Sequence, residues 1–255
     1  MSSASLSPVA PVSPQEPALS EPQRLINVFV APQSTFADLR RKASWWVPFV
    51  LSCIFAYGLI FTVDKQVGFE RVTENQIKLN PKASERLDQL SPDQRARQMD
   101  ISVKVTKAIS YAFPVLVLIV NIIIAGVLMA TFNFGLGTEI KFGQALAIVM
   151  YAGLIGIVKS VLAMVTLFAG SNLDSFNFSN PVGTNAAYYM SITDTAPWLY
   201  RAASWFDVIT IWLFVLIGIG FAVVSRKKIS SGIGVMAGWF AVMVLLSAGW
   251  AALFA

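Results

Sequence analysis

Five long apolar runs constrain what this chain can fold into more than any other feature of its sequence. They occupy residues 45–63, 111–134, 145–168, 205–224 and 233–255. A bilayer core about 30 Å thick is crossed by a helix of about 20 apolar residues, so each run is long enough to span it. The runs are continuous rather than alternating, which favours helices over a barrel. The sequence therefore predicts an all-α, polytopic membrane bundle with five transmembrane helices.

The composition supports a membrane protein and narrows its chemistry. Hydrophobic residues make up 56% of the 255 positions and charged residues 13%, too few charges to cover a soluble domain of this size. Histidine is absent and Cys53 is the single cysteine. Catalysis by Ser-His or Cys-His pairs, histidine-ligated metals and an internal disulfide are therefore excluded. We expect no enzyme activity, no cofactor and no metal.

Polar stretches divide the chain into three regions. Residues 1–23 are rich in Ser, Pro, Ala and Glu and predict a disordered tail. Residues 24–44 form a lead-in on the cytoplasmic side, and residues 45–255 form the membrane domain. Within that domain, residues 64–110 are an external polar segment. Ser91, Pro92 and Gln94 have the pattern of a capping box, which predicts a helix that continues into the second run.

The lead-in has the pattern of a short helix at the membrane surface. Thr35 is a plausible N-cap with Asp38 three residues later, after a break at Pro32. Such a helix brings Phe36 and Leu39 to the membrane surface, with basic side chains at the headgroups. An ordinary solvated connection is an equal alternative.

Two basic clusters predict the orientation of the bundle. They are Arg40, Arg41 and Lys42 before the first run, and Arg226, Lys227 and Lys228 between the fourth and fifth. With five spans both clusters fall on one side, which the positive-inside rule makes cytoplasmic. We therefore expect the N-terminus inside, the C-terminus outside, and contact with anionic lipid headgroups. The net charge of +5 is explained by lipid rather than by nucleic acid.

Two ionisable residues lie within or beside the apolar runs. Lys159 is inside the third run, where an isolated lysine costs about 2.5–3.5 kcal/mol on insertion scales. Asp207 stands near the start of the fourth run, on the same side of the membrane. We expect the two to form a structural ion pair. The alternative is a small-solute or ion transporter, or a channel component, that uses this pair together with the polar Asn121.

Small residues recur at the spacing of helix contacts. They are Ala152, Gly156 and Ser160 in the third run, Gly218 and Gly220 in the fourth, and Gly234 and Gly238 in the fifth. Such residues let helix backbones approach closely. Packing within the bundle is the default interpretation, and a homodimer face formed by the GxxxG of the fifth run is the alternative.

Several stretches of the chain together resemble the Yip family of membrane proteins, in the branch found in bacteria. They are LINVFVAPQSTFADLRRKASWWVPF from Leu25, GLGTEIKFGQALAIVMYAGLIGIVKSVL from Gly135, FNFSNPVGTN from Phe176, and SWFDVITIWLFVLIGIGFAVVSRKK from Ser204. The resemblance implies five spans, a cytoplasmic N-terminus and an external C-terminus. It also implies a location in the bacterial inner membrane.

The resemblance implies much less about activity. Eukaryotic members are associated with Rab-type small GTPases and carry a DLYGP-like motif before the spans, which this sequence lacks. The resemblance therefore assigns no GTPase-binding role to any residue of this sequence. Our leading hypothesis is a non-enzymatic membrane scaffold or adaptor that meets protein partners through its loops and faces.

Overall fold

The computed structural model describes residues 18–170, 173–192 and 194–254. These ranges form eleven α-helices and a short 3-10 helix at Ala186–Tyr189. The α-helices are α1 (Glu21–Val30), α2 (Pro32–Leu39), α3 (Trp46–Gln66), α4 (Phe69–Lys78), α5 (Pro81–Asp88), α6 (Pro92–Leu136), α7 (Phe142–Gly153), α8 (Ile155–Phe168), α9 (Pro197–Trp205), α10 (Val208–Val224) and α11 (Ile229–Phe254). The only strand-like pairing in the described ranges is one isolated bridge. The all-α bundle is confirmed.

Four helical stretches are long and apolar enough to cross a membrane. They are Trp46–Gln66, Pro92–Leu136, Phe142–Phe168 and Ile229–Leu253. The fourth apolar run gives a shorter helix of 17 residues, α10, because Trp205 ends α9 and Asp207 caps a new helix. The third run is also divided, at Leu154, whose backbone N–H and C=O make tight turn hydrogen bonds to Tyr151 and Ile157. A polytopic helical membrane bundle is thus confirmed. The third predicted span is divided into α7 and α8, and the fourth is shortened to α10.

The core of the bundle lies around α7. Every residue from Ala145 to Ala152 is buried, whereas few residues in the apolar windows of α3, α6 and α11 are buried, as expected for helices that face lipid. The C-terminal half of α10 packs against α7, and Phe132 of α6 stacks on Phe221 of α10 with ring centroids 4.5 Å apart. A third helix on this core, α2, comes from the lead-in.

Helix α6 is longer than a bilayer is thick. Its 45 residues extend about 67 Å. The helix begins at the predicted capping box, where Ser91 accepts from the backbone of Gln94, and ends at Gly137, whose φ of 58° is left-handed. Its N-terminal part projects beyond the apolar zone beside α4 and α5. We call this end of the molecule, formed by α4, α5 and residues 173–192, the cap end.

The N-terminal part of the chain differs from its predictions in three ways. Phe36 and Leu39 are fully buried within the protein instead of lying at the membrane surface. Helix α2 begins at Pro32, so Thr35 is inside it and is not its N-cap. The first turn of α1 begins at Glu21, within the stretch predicted to be disordered, because Ser20 and Gln23 form a capping box. The predicted disorder of residues 1–17 concerns positions outside the described ranges.

Candidate functional site

Lys159 and Asp207 are brought together at the start of α10. The Lys159 Nζ donates to Asp207 Oδ2 over 2.8 Å, and the Asp207 side chain is 1% exposed. The same oxygen accepts from Thr184 Oγ1 at 2.8 Å and from Asn185 Nδ2 at 3.5 Å. The other oxygen, Oδ1, caps α10 by accepting from the backbone N–H of Thr210 at 3.0 Å. Asp207 is therefore held by four donors.

Two of these donors come from a loop that sequence reasoning did not connect to Asp207. Thr184 and Asn185 belong to FNFSNPVGTN, and their backbone runs beside Asp207 in the isolated bridge, with Val208 N–H donating to the Thr184 carbonyl at 3.1 Å. Phe176 fixes the other end of this loop in a small apolar cluster with Val63 and Leu167. The ion pair thus joins α8, α10 and the cap-end loop.

Lys159 also lies on the wall of a cavity. The cavity has a volume of about 410 Å³ and lies among α3, α6 and α8, with α4 and the loop near Phe178 at the cap end. The Lys159 side chain is 27% exposed. Gly156 and Ser160, predicted to pack against another helix, instead line this cavity, and a Cβ atom built on Gly156 meets nothing within 4 Å. Of that predicted trio, only Ala152 is buried in the core.

The two glycines of the GxxxG of α11 are exposed and do not lie at a close helix crossing. A Cβ atom built on Gly234 or Gly238 meets nothing within 4 Å, so the expected intramolecular packing is wrong for both. The close helix crossing uses Gly232 instead, which meets Gly218 of α10 backbone to backbone. Gly220, on another face of α10, lies under Phe36 and Ile148. The sequence pattern found two of these three contact glycines and missed Gly232.

Replacing Gly232 by alanine is expected to destabilise the bundle by about 1–3 kcal/mol, the usual effect of overpacking. The added methyl carbon would lie 2.8 Å from the Ala222 Cβ and would press on the Gly218 carbonyl, which forces α10 and α11 apart. Chemical denaturation in detergent measures the loss. Gly234→Ala is the matched control because its methyl enters open space. Equal stability of the two variants would contradict the assignment.

A second buried ionic cluster attaches the lead-in to the core. The Arg24 guanidinium is bound to Asp38 Oδ2 through Nε at 2.7 Å and Nη2 at 2.6 Å, and to Glu21 Oε1 through Nη1 at 3.1 Å. Glu21 in turn accepts from the Tyr151 hydroxyl of α7 at 2.6 Å. The Thr35 hydroxyl donates to the Arg24 carbonyl at 3.0 Å. We call these five residues the lead-in cluster.

The charge of Arg24 is stabilised inside this cluster. Burial by itself lowers the pKa of the guanidinium, but the hydrogen bonds with Asp38 and Tyr151 and the nearby carboxylates outweigh burial and raise the pKa. Sequence reasoning missed the cluster because Arg24 and Asp38 look like surface charges on an amphipathic segment. The available signal was Tyr151, a side chain with a hydroxyl inside an apolar run.

The two basic clusters lie at the same end of the molecule. Phe36 packs on Gly220, so the C-terminal end of α2 and that of α10 are neighbours. The side chains that follow these helix ends, Arg40 to Lys42 and Arg226 to Lys228, are all exposed. Asp207 begins α10 and therefore lies at the opposite end, about 25 Å away for a helix of 17 residues.

The remaining polar candidate, Asn121, donates to the Met150 sulfur at 3.8 Å and does not reach Lys159 or Asp207. Among the residues that the structure describes, no group of three or more His, Cys, Asp or Glu side chains could hold a metal ion. The arrangement of the bundle can hold helices and loops together through charge pairs, and the cavity among α3, α6 and α8 has Lys159 in its wall.

Comparison with known proteins assigns the family. A family model described as the Yip1 domain matches residues 26–251, which covers most of the lead-in, the cap end and nearly all of the apolar helices. No curated protein and no solved structure matches the chain significantly. The match agrees with the sequence strings that resembled the Yip family. This chain is an integral membrane protein that belongs to the Yip1 domain family.

Proposed function

We propose that this protein is a non-enzymatic scaffold or adaptor of the bacterial inner membrane, with five spans, its N-terminus in the cytoplasm and its C-terminus outside. The observation that carries the proposal is the attachment of α1 and α2 to the bundle. The lead-in cluster and the buried Phe36 hold these helices on the core, so they form a fixed surface at the basic end of the molecule.

This surface presents apolar side chains outward. Ile26, Phe29 and Val30 share one face of α1, and Ile26 and Val30 are 63% and 74% exposed. An apolar helix face with the spacing i, i+3, i+4 is a common protein-binding surface. The neighbouring basic clusters suit anionic lipid headgroups, which would keep this surface at the membrane. The partner that binds α1 is a protein or a second copy of the chain. We propose no nucleic-acid partner.

Transport by the Lys159–Asp207 pair is the alternative, and it has weaker support. A relay needs a carboxylate oxygen that is free to take up a proton or an ion, whereas both oxygens of Asp207 already accept hydrogen bonds from protein groups. The Asn121 amide donates to the Met150 sulfur and therefore does not extend a transport pathway from Lys159. The pair serves better as the connection between α8, α10 and the cap-end loop.

The test is photo-cross-linking in native membranes with a photoreactive amino acid in place of Val30. We expect a discrete protein adduct at this position, and loss of that adduct when Ile26 is also replaced by glutamate. The matched control places the same probe at Leu245 of α11, an exposed side chain on a lipid-facing helix, where adducts should be lipid only. Lipid adducts alone at Val30 would contradict the adaptor proposal and make α1 a helix that inserts into the bilayer surface.

A further inference from the structure

The cavity beside Lys159 has the properties of a ligand site. Its volume of about 410 Å³ lies within the range of small-molecule pockets, about 300–1,000 Å³. Its wall is mostly apolar, with a few polar groups at defined places, which is the usual composition of such sites. The scaffold proposal does not use this cavity, because α1 and the basic clusters lie at the other end of the bundle.

The polar and apolar groups of the cavity are arranged along the membrane normal. Gln76 and Thr106 lie toward the cap end, where α4 covers the bundle. Phe113 lies deeper on α6, about 10 Å from Thr106 along the helix. Ala56 and Gly156 complete the deeper, apolar part. A molecule that fits this arrangement has a polar head toward the cap end and an apolar chain toward the bilayer centre.

Lys159 supplies the donors for such a head. An ammonium group has three N–H donors, and among the described residues the only acceptor for Lys159 Nζ is Asp207 Oδ2. Asp207 is meanwhile held by three other donors, so sharing Lys159 with a second acceptor leaves no oxygen of Asp207 without a partner. An acceptor with several oxygens satisfies the remaining donors of Lys159 in an otherwise apolar place.

The cavity is open toward lipid. Ile109 and Phe113, on its rim, are 54% and 52% exposed on α6, one of the helices that face the bilayer. A soluble anion would leave this apolar wall without a partner, whereas an acyl chain covers it. We propose that the cavity binds one phospholipid from the leaflet at the cap end, with its phosphate oxygens at Lys159 and an acyl chain between Ala56 and Phe113.

Filling the cavity without changing the ion pair tests this proposal. Gly156→Leu places a side chain in the cavity, where a Cβ meets nothing within 4 Å, and leaves Lys159 and Asp207 intact. Gly234→Leu is the matched control, since it adds the same side chain to an equally open helix face. The purified full-length protein is titrated with phosphatidylglycerol in detergent, and bound lipid is counted by native mass spectrometry. We expect one tight site, weakened at least about tenfold by Gly156→Leu and unchanged by Gly234→Leu.

A second variant and a competitor complete the test. Ala56→Leu fills the cavity from α3 and should weaken the same site, which decides the result if Gly156→Leu does not fold. Excess inorganic phosphate should leave the lipid bound. Displacement by phosphate would show a site for free anions and overturn the proposal. Equal lipid binding by the wild type and by either cavity-filling variant that folds would show only non-specific surface lipid and would overturn it as well.

Discussion

Asp207→Ala is expected to lower the yield of folded protein sharply, with a loss of stability of about 3–5 kcal/mol. The substitution leaves Lys159 in an apolar wall without its counter-ion, and it removes the acceptor of Thr184 and the cap of α10. Three segments of the chain lose their common attachment. Folded yield after membrane extraction and unfolding in a denaturing detergent measure the effect.

The double variant Lys159→Ala with Asp207→Ala separates the ion pair from the other contacts. It removes the uncompensated charge, so it should be more stable than the sum of the two single losses predicts, although Thr184 and α10 still lack their acceptor. Two fully additive losses would argue against coupling. Asp174→Ala is the control at the cap end, because the ion pair of Asp174 with Arg71 is exposed and should contribute no measurable stability.

Arg24→Met should release the lead-in from the bundle, with a loss of about 3–5 kcal/mol for breaking a buried charge pair. Methionine retains much of the side-chain volume, but Asp38 and Glu21 are then left beside each other without their shared cation. Limited proteolysis within residues 24–42 should become rapid while the membrane helices stay protected. Thermal unfolding in detergent gives the accompanying change in stability.

The control for Arg24 lies in the same segment. Lys42→Met removes a positive charge from an exposed side chain and should leave the rate of proteolysis unchanged. Adding Asp38→Leu to Arg24→Met removes the unpaired carboxylate and should recover part of the loss. An Arg24→Met protein cleaved at the wild-type rate would show that Phe36 and Leu39 hold the lead-in by apolar packing alone.

Some local features could be predicted because neighbouring residues decide them. The capping box at Ser91 and the left-handed Gly137 set the bounds of α6 through backbone hydrogen bonds within a few residues. The apolar runs predict helices because a backbone in lipid must satisfy its hydrogen bonds internally. The pair of Lys159 and Asp207 was also found, since a charge in an apolar run needs a partner and few were available.

Other contacts depended on which faces of the helices pack against each other. Gly232 and Gly234 are two residues apart on one helix, yet the first contacts Gly218 and the second faces open space. Spacing rules do not distinguish them, because the rotation of α11 about its axis is set by all the helices together. The prediction that Phe36 and Leu39 lie at the membrane surface was wrong for the same reason. An apolar helix face can pack against lipid or against protein, and in the structure both residues are buried in protein.

The sequence by itself determined that this protein is an all-helical integral membrane protein, because run length and the scarcity of charge leave lipid as the only suitable solvent. It also determined the family, since the Yip1 domain model matches the sequence over residues 26–251. Only the tertiary structure decided that Arg24, Asp38 and Tyr151 form one buried cluster and that Gly156 opens a cavity beside Lys159. Those results depend on contacts between segments distant along the chain, whose relative rotation and depth no local pattern encodes.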